Sequence, residues 1–293
     1  MNLNVEKHTG LWLTFFRISL PTLCLIELLS YWSDFKIFYS SNGIIKSDII
    51  NSTTDTVSFS LYDLQQFIDS KININIDYNL FVQYTRSIYC IALFFIAIGL
   101  LTKINTLFCI FLQLLISKSF PEIQYGFDYF TTLCFFYILI FPTNKYFSLD
   151  KKFRFKQYYL FDDKYALLII KIHVCIMYFF AGFDKLIGYN WRNGESMWRV
   201  LTEYNNTNLY DFKRLYNTPF FYISGWVTII FEMLYPIFIN IKKTRLFWLI
   251  SIILLHLFIA LILGLSYFSL IMIILNLTAY YYPSIQFKNE KSK

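Results

Sequence analysis

The chain has 293 residues, of which 57% are hydrophobic and 15% charged, and its mean hydropathy is +0.47. Soluble domains carry about 25% charged residues, so this composition excludes an ordinary soluble fold and indicates an integral membrane protein whose partner is the lipid bilayer. The net charge of +7 comes from Lys and Arg in short loops between apolar runs, which the positive-inside rule explains without a nucleic-acid partner.

A span needs about 20 apolar residues. Runs of suitable character cover 11–32, 80–101, 105–119, 127–142, 164–187, 218–240, 246–264 and 266–282. They predict an all-α polytopic bundle of about eight transmembrane helices, forming a single membrane domain over 1–293. The first run contains Arg17, Pro21 and Glu27 and lacks a small-residue cleavage site, so it reads as a retained span and not as a cleavable signal. The outer loop 33–79 follows. Within it Leu61, Leu64 and Ile68 have helical spacing, which suits either a short surface helix or an ordered loop. The third and fourth runs are short and must tilt little, thin the bilayer or dip in as a re-entrant pair. A second outer loop spans 188–217. Thr218-Pro219 opens the sixth span with a capping hydroxyl and a proline where no backbone donor is lost. Pro21 and Pro236 lie inside spans, where each removes a backbone hydrogen bond. The turn around Gly264-Leu-Ser266 makes the last two spans an antiparallel hairpin.

Charge sets the orientation. With both termini in the cytoplasm, the loop 33–79 faces outward and carries Asp34, Asp48, Asp55, Asp63, Asp69 and Asp77 against Lys36, Lys46 and Lys71. Inward segments then hold Lys103, the cluster Lys145, Lys151, Lys152, Arg154 and Lys156, the cluster Lys242, Lys243 and Arg245, and the tail lysines Lys288, Lys291 and Lys293. The exception is 188–217, where Arg192, Arg199, Lys213 and Arg214 face outward with Glu195, Glu203 and Asp211. The expected location is the cell membrane. Cys24, Cys90, Cys109, Cys134 and Cys175 lie inside apolar runs and read as buried thiols, and no metal-ligand spacing occurs, so no metal site is expected. The glycosylation sequons at Asn51 and Asn205 are chance triplets in an Asn-rich chain.

The intramembrane polar set is Arg17, Glu27, Lys171, His173, Asp184, Lys185, Glu232 and His256. Ions at mid-helix cost roughly 2.5–3.5 kcal/mol on insertion scales and point to function by default, although interhelical polar contacts, about 0.6 kcal/mol each on average, also explain isolated cases. Arg17 and Lys171 lie one to two turns into their spans and are placed to snorkel to the headgroups. Glu232 is too short to snorkel. It is either protonated or paired, and His256, also mid-span, is its expected partner. Asp184 and Lys185 are adjacent, about 100° apart on a helix, and need not pair. A lysine held among Phe and Tyr rings loses hydration, and an amine kept neutral can act as base or nucleophile; the alternative is an interfacial anchor. Lys185 is therefore the candidate base, with Asp184, Glu232 and His256 as further candidate catalytic residues and Trp191 and Tyr178 as candidate cofactor contacts.

The stretch Ala181-Gly182, Lys185, Leu186, Trp191, Gly194 and Met197, together with Phe16-Arg17-Ile18 and His256-Leu-Phe-Ile-Ala-Leu, resembles the HTTM (horizontally transferred transmembrane domain) family. That family includes the membrane part of vitamin K-dependent gamma-carboxylase and proteins of the sporulation-delaying-protein B type. The resemblance implies that Lys185 matches the lysine that acts as base on a quinone cofactor in the carboxylase. No counterpart of the large extracytoplasmic domain of the carboxylase is expected, so the resemblance does not extend to binding of its protein substrate. The compact sporulation-delaying type implies a helper in maturing or exporting a secreted antimicrobial peptide, working with an accessory membrane-associated protein. The expectation is the helper at the extracytoplasmic face. The alternatives are a quinone-dependent, carboxylase-like enzyme and a transporter, the last disfavoured by the lack of an internal repeat.

Overall fold

The computed structural model describes residues 10–41, 43–44, 59–72, 76–156, 158–202 and 210–282, and among them every regular element is a helix. In chain order these are α1 (Leu11–Ser30), α2 (Phe35–Tyr39), α3 (Leu61–Ile72), α4 (Tyr78–Ile98), α5 (Thr102–Ser119), α6 (Gly126–Ile140), α7 (Leu149–Lys152), α8 (Asp163–Ile187), α9 (Tyr189–Arg192), α10 (Glu195–Thr202), α11 (Phe220–Phe238), α12 (Arg245–Ile262) and α13 (Ser266–Asn276). A π-helical turn, Leu277–Tyr281, continues α13. Each apolar run of the sequence carries a helix. The helices α1, α4, α8, α11 and α12 are long and apolar enough to cross a membrane, while α6 and α13 are shorter. The protein is therefore an all-α, multi-pass membrane protein. The sequons at Asn51 and Asn205, the loop residues Lys46, Asp48, Asp55 and Glu203, and the tail lysines Lys288, Lys291 and Lys293 lie outside the described residues.

Two compact units divide the chain: Leu13–Phe161, and Asp162 onward with the segment up to Trp12. In the first, α3 is a helix from Leu61 to Ile72 and not a loop, because Ser60 and Asp63 cap it reciprocally, Ser60 N donating to Asp63 Oδ2 at 2.8 Å and Asp63 N to Ser60 Oγ at 3.3 Å. Its Leu61 is fully buried and donates its N–H to Ser119 Oγ of α5 at 2.8 Å. A polar thread ties α4, α5 and α6: Tyr89 Oη donates to Gln113 Oε1 at 2.6 Å, Gln113 Nε2 to Asp128 Oδ1 at 3.4 Å, and Asp128 Oδ2 receives Tyr125 N at 3.1 Å ahead of α6. Glu27 receives the Tyr31 hydroxyl at 3.4 Å.

Arg17 does not snorkel. It is fully buried, and its guanidinium donates to Ile96 O at 3.0 Å, Ala97 O at 2.7 Å and Phe147 O at 2.8 Å. The reason is the end of α4. The last carbonyls of a helix have no partner within it and carry the negative end of its dipole, and the planar fork of Arg serves several of them at once. Gly99, at φ +76°, turns the chain there; a Cβ on it would sit 2.6 Å from Arg17 Nη1. Asp150 does the converse job at the start of α5. It is 2% exposed and accepts from Leu101 N at 2.6 Å, Thr102 N at 3.0 Å, Thr102 Oγ1 at 2.8 Å and Asn144 Nδ2 at 2.9 Å. Lys103 closes the third helix end, donating to Ile138 O at 2.9 Å, Leu139 O at 2.7 Å and Phe141 O. Leu101 and Phe147 both hold left-handed backbone at φ +45°. That conformation costs about 1–3 kcal/mol per non-glycine residue and persists only where surroundings fix it. Here Asp150 holds the Leu101 N–H and Arg17 holds the Phe147 carbonyl.

In the second unit, α12 and α13 pack as a hairpin around Gly264 at φ +71°, as the tight turn requires. The helix α11 begins at Phe220, one residue later than the sequence suggests: Pro219 occupies the N-cap and Thr218 Oγ1 accepts the Phe220 N–H at 3.4 Å. The thiols of Cys24, Cys109 and Cys134 are buried, those of Cys90 and Cys175 half-buried, and all are free.

Replacing Arg17 with Met removes the guanidinium from Ala97 O and Phe147 O and leaves Ile96 O with the Gly99 N–H alone, and it should cost about 3 kcal/mol or more. Thermal unfolding in detergent checks this. Arg17→Lys, a point charge that cannot fork, should recover only part of the loss.

Candidate functional site

The site begins with two helix stripes. On α8 the buried positions are Ala166, Ile170, Val174, Tyr178 and Gly182, and on α11 they are Phe221, Gly225, Ile229, Glu232 and Tyr235. Steps of three and four keep each set on one face of its helix, and the two faces pack against each other. Gly182 sets how closely they approach. A Cβ there would lie 2.7 Å from Met233 N and 3.0 Å from Glu232 Cβ, so any larger residue would push α11 away. One turn beyond Gly182, Lys185 reaches across the seam, and its Nζ meets Glu232 Oε2 at 2.7 Å. The side chains are 20% and 10% exposed, so most of this ion pair is shielded from solvent. The amine also donates to Ala181 O at 3.3 Å and lies 5.2 Å from the Trp191 ring centroid.

The partner of Glu232 is therefore Lys185 and not His256. His256, 3% exposed, is engaged elsewhere: its Nε2 lies 2.7 Å from Tyr178 Oη. Asn276 ties the group together. Its Nδ2 donates to Met272 O at 2.8 Å and to Tyr178 Oη at 2.9 Å, and its Oδ1 accepts the Tyr235 hydroxyl at 2.7 Å. Tyr178 Oη thus sits between the Asn276 amide and the His256 imidazole, and the ring tautomer decides which partner donates in the Tyr178–His256 bond. The His256 Nδ1 has no hydrogen-bond partner among the described residues. The Tyr178 and Tyr235 rings lie tilted at 34° with centroids 4.2 Å apart. Further along α8, Tyr280 Oη lies 3.3 Å from Cys175 Sγ, and the Lys171 amine sits 5.3 Å from the Tyr280 ring centroid. Lys171 thus rests against an aromatic face within this unit.

Asp184 does not join the site. It is exposed, turned away from the α8–α11 seam. Trp191 and Tyr178 do join it, as the ring beside the amine and as the phenol hydrogen-bonded to the imidazole. Sequence reasoning missed Asn276 and Tyr235, which orient Tyr178 and His256. One signal was present: Asn276 is the only amide in the apolar run 266–282.

The rest of the central stretch builds the end of this seam. Gly194, at φ +84°, has room only for hydrogen, since a Cβ would meet Tyr222 N at 2.6 Å. Met197 is buried with Leu201, Phe212 and Phe221, and Trp191 and Trp198 pack on that cluster. Beside it opens a pocket of about 460 Å³ with Asn193, Glu195, Trp198, Tyr216, Thr218 and Tyr222 in its wall. From Tyr222 to Glu232 is ten residues of α11, about 15 Å along its axis at 1.5 Å per residue.

Comparison with known proteins gives a match to the HTTM domain over residues 77–284. The match takes in α4 to α13 and so includes Tyr178, Lys185, Trp191, Glu232 and His256, while Phe16-Arg17-Ile18 precedes it. No curated protein and no solved structure matches the chain.

The ion pair can be tested by a double-mutant cycle. Glu232→Gln leaves the Lys185 ammonium without its counter-charge in a shielded seam and should lower stability by about 3 kcal/mol. Lys185→Met combined with Glu232→Gln should restore most of that loss. Melting of four proteins (the parent, Glu232→Gln, Lys185→Met and the double variant) reads the coupling. Full stability of Glu232→Gln alone would mean that the carboxyl is protonated and the contact uncharged.

Proposed function

The chain belongs to the HTTM domain family, and from that premise we propose that it helps mature or export a secreted antimicrobial peptide at the extracytoplasmic face of the cell membrane. The working region is the Lys185 end of the α8–α11 seam. The observation that carries this reading is the pocket beside α10. It is about 460 Å³, and its wall mixes aromatic rings with the amide, carboxylate and hydroxyl of Asn193, Glu195 and Thr218. Such a wall suits a peptide, whose backbone needs hydrogen-bonding groups and whose side chains need apolar surface.

The ion pair supports the helper reading over the quinone-dependent one. A base must hold a free electron pair, and the Lys185 amine is committed to the Glu232 carboxyl 2.7 Å away and to Ala181 O. In the helper, Lys185 supplies a fixed positive charge on the seam and Glu232 holds it in place; Tyr178, two turns back on α8, and His256 of α12 brace the same seam. Asp184 lies on the exposed face of α8, where it is available to an accessory membrane-associated partner. Placing the Lys185 end outside follows from the charge of the loops.

Lys185→Arg and Lys185→Met separate the readings. Arginine keeps the charge and can still pair with Glu232, but it does not become neutral. For a helper, mass spectrometry of the culture medium should find the mature peptide retained with Lys185→Arg and reduced at least tenfold with Lys185→Met, at equal abundance of the membrane protein. Loss of activity in Lys185→Arg at full abundance would favour a base acting on a quinone. An unchanged medium in Lys185→Met and in a deletion strain would sink the peptide role.

A further inference from the structure

A second pocket lies in the Leu13–Phe161 unit, remote in sequence from Lys185. It measures about 310 Å³, within the range of about 300–1,000 Å³ typical of small-molecule sites. Its polar wall is made of Thr102, Asn144 and Asp150, all at most 2% exposed. Its outer wall is apolar and open, with Ile104 66% and Phe155 45% exposed, and Lys156 stands at the rim.

The donors and acceptors around this pocket are unequally used. The Asp150 carboxylate accepts four hydrogen bonds, from Leu101 N, from Thr102 N and Oγ1, and from Asn144 Nδ2. The Lys103 ammonium is fully engaged by three backbone carbonyls. Asn144 is different. Its Nδ2 is fixed on Asp150, which fixes which way the amide faces, and its Oδ1 is buried without a hydrogen-bond donor. A buried acceptor left in this state is the exception in folded proteins and calls for a partner. Charge narrows what that partner carries. Lys156 stands in the wall of the pocket, and Lys151, Lys152 and Arg154 are exposed just before it in the chain. This basic approach disfavours an ammonium as the missing donor and favours a hydroxyl on an anionic group.

We propose that this pocket binds the headgroup of an anionic, hydroxyl-bearing phospholipid, its phosphate at Lys156, its hydroxyl donated to Asn144 Oδ1, and its acyl chains running out over Ile104. The shared chemistry is a phosphate ester carrying a free hydroxyl. The lipid is the source because the outer wall continues the exposed apolar surface of α5, where Leu107, Phe111 and Leu114 follow Ile104 and are also exposed. A soluble ester would leave that wall unused. The surrounding basic segment, with Lys151, Lys152 and Arg154 all exposed, adds the electrostatic attraction expected at an anionic leaflet.

The test is native mass spectrometry of the full chain released from nanodiscs of equal phosphatidylglycerol, phosphatidylethanolamine and phosphatidylcholine. A retained phosphatidylglycerol adduct, at least fivefold over the other two, is the expected result. Lys156→Glu changes an exposed side chain and leaves the fold intact, and it should erase that preference. Asn144→Leu, checked for folding by its melting temperature, should weaken the adduct at unchanged net charge. Equal adducts for the three lipids, or a preference that survives Lys156→Glu, would overturn the proposal. In a parallel arm, glycerol 3-phosphate is offered to lipid-free protein in detergent. Its binding at micromolar concentration would assign the pocket to a soluble ester and overturn the lipid assignment.

Discussion

The close approach of α8 and α11 at Gly182 is the constraint on which the second unit depends. Without a Cβ at that point the two backbones come near enough for Lys185 to reach Glu232. Small residues at helix crossings are the usual route to close packing in a bilayer, where lipid tails are as apolar as leucine and burial alone drives little association. The ion pair then adds a directional contact in a poorly solvated place. Neither residue alone tolerates that environment, so the pair fixes the register of the seam, and the register places Tyr178 within reach of His256. The dependence runs one way. A shift of one residue along α11 would remove Glu232 from Lys185 and Tyr235 from Asn276 together.

The first unit solves a related problem by other means. A helix that ends inside a membrane domain presents unpaired N–H and C=O groups that no water reaches. Here charged side chains meet them: Arg17 and Lys103 at carboxyl-terminal ends, Asp150 at an amino-terminal start. Each sign matches the helix dipole it faces. The same contacts hold Leu101 and Phe147 in left-handed backbone, so strain and electrostatics are coupled in one knot of chain. This arrangement also explains why basic residues near the ends of spans need not report the cytoplasmic side. Arg17 and Lys103 are used for helix ends, whatever the positive-inside bias of the loops around them.

Much of the fold was legible in the chain because its signal is local. Apolar run length placed α1, α4, α8, α11 and α12, and Gly264 placed the hairpin of α12 and α13. Helix ends were readable to a residue or two where a hydroxyl and a proline stood, as at Thr218 and Pro219, while the capping pair Ser60 and Asp63 went unread. The partners of the buried ions were not legible. Whether Arg17 snorkels or turns inward depends on where α4 stops relative to α1, and that is set by packing between helices far apart in sequence. The same holds for Glu232. Depth in the span suggested His256, but the stripe Tyr178, Gly182, Lys185 faces the stripe Gly225, Ile229, Glu232, and this facing pair decides the partner. Asn276 escaped notice because an amide in an apolar run carries no charge to draw attention, although it orients both the phenol and the imidazole.

An intramembrane ion is often taken as functional on cost alone, and this chain shows how that inference should be narrowed. Arg17 and Asp150 are buried and Lys103 is half-buried, and most of their hydrogen bonds go to helix ends: Arg17 and Lys103 to backbone carbonyls, Asp150 to the Leu101 and Thr102 N–H groups as well as to the Thr102 and Asn144 side chains. Their structural duty accounts for their cost. Lys185 is not fully engaged: one of its three protons goes to Glu232 and one to Ala181 O, and the third faces no acceptor among the described residues. His256 likewise keeps its Nδ1 without a partner. An unfilled donor alone does not mark function, since Arg17 Nε, Trp226 Nε1 and Trp248 Nε1 are also buried without a partner among the described residues; what sets Lys185 apart is its pairing with Glu232 across a helix seam, beside the Trp191 ring. Lys185 and Glu232 stand on the two sides of the seam that Gly182 brings close, and His256 lies beyond it on α12, against Tyr178.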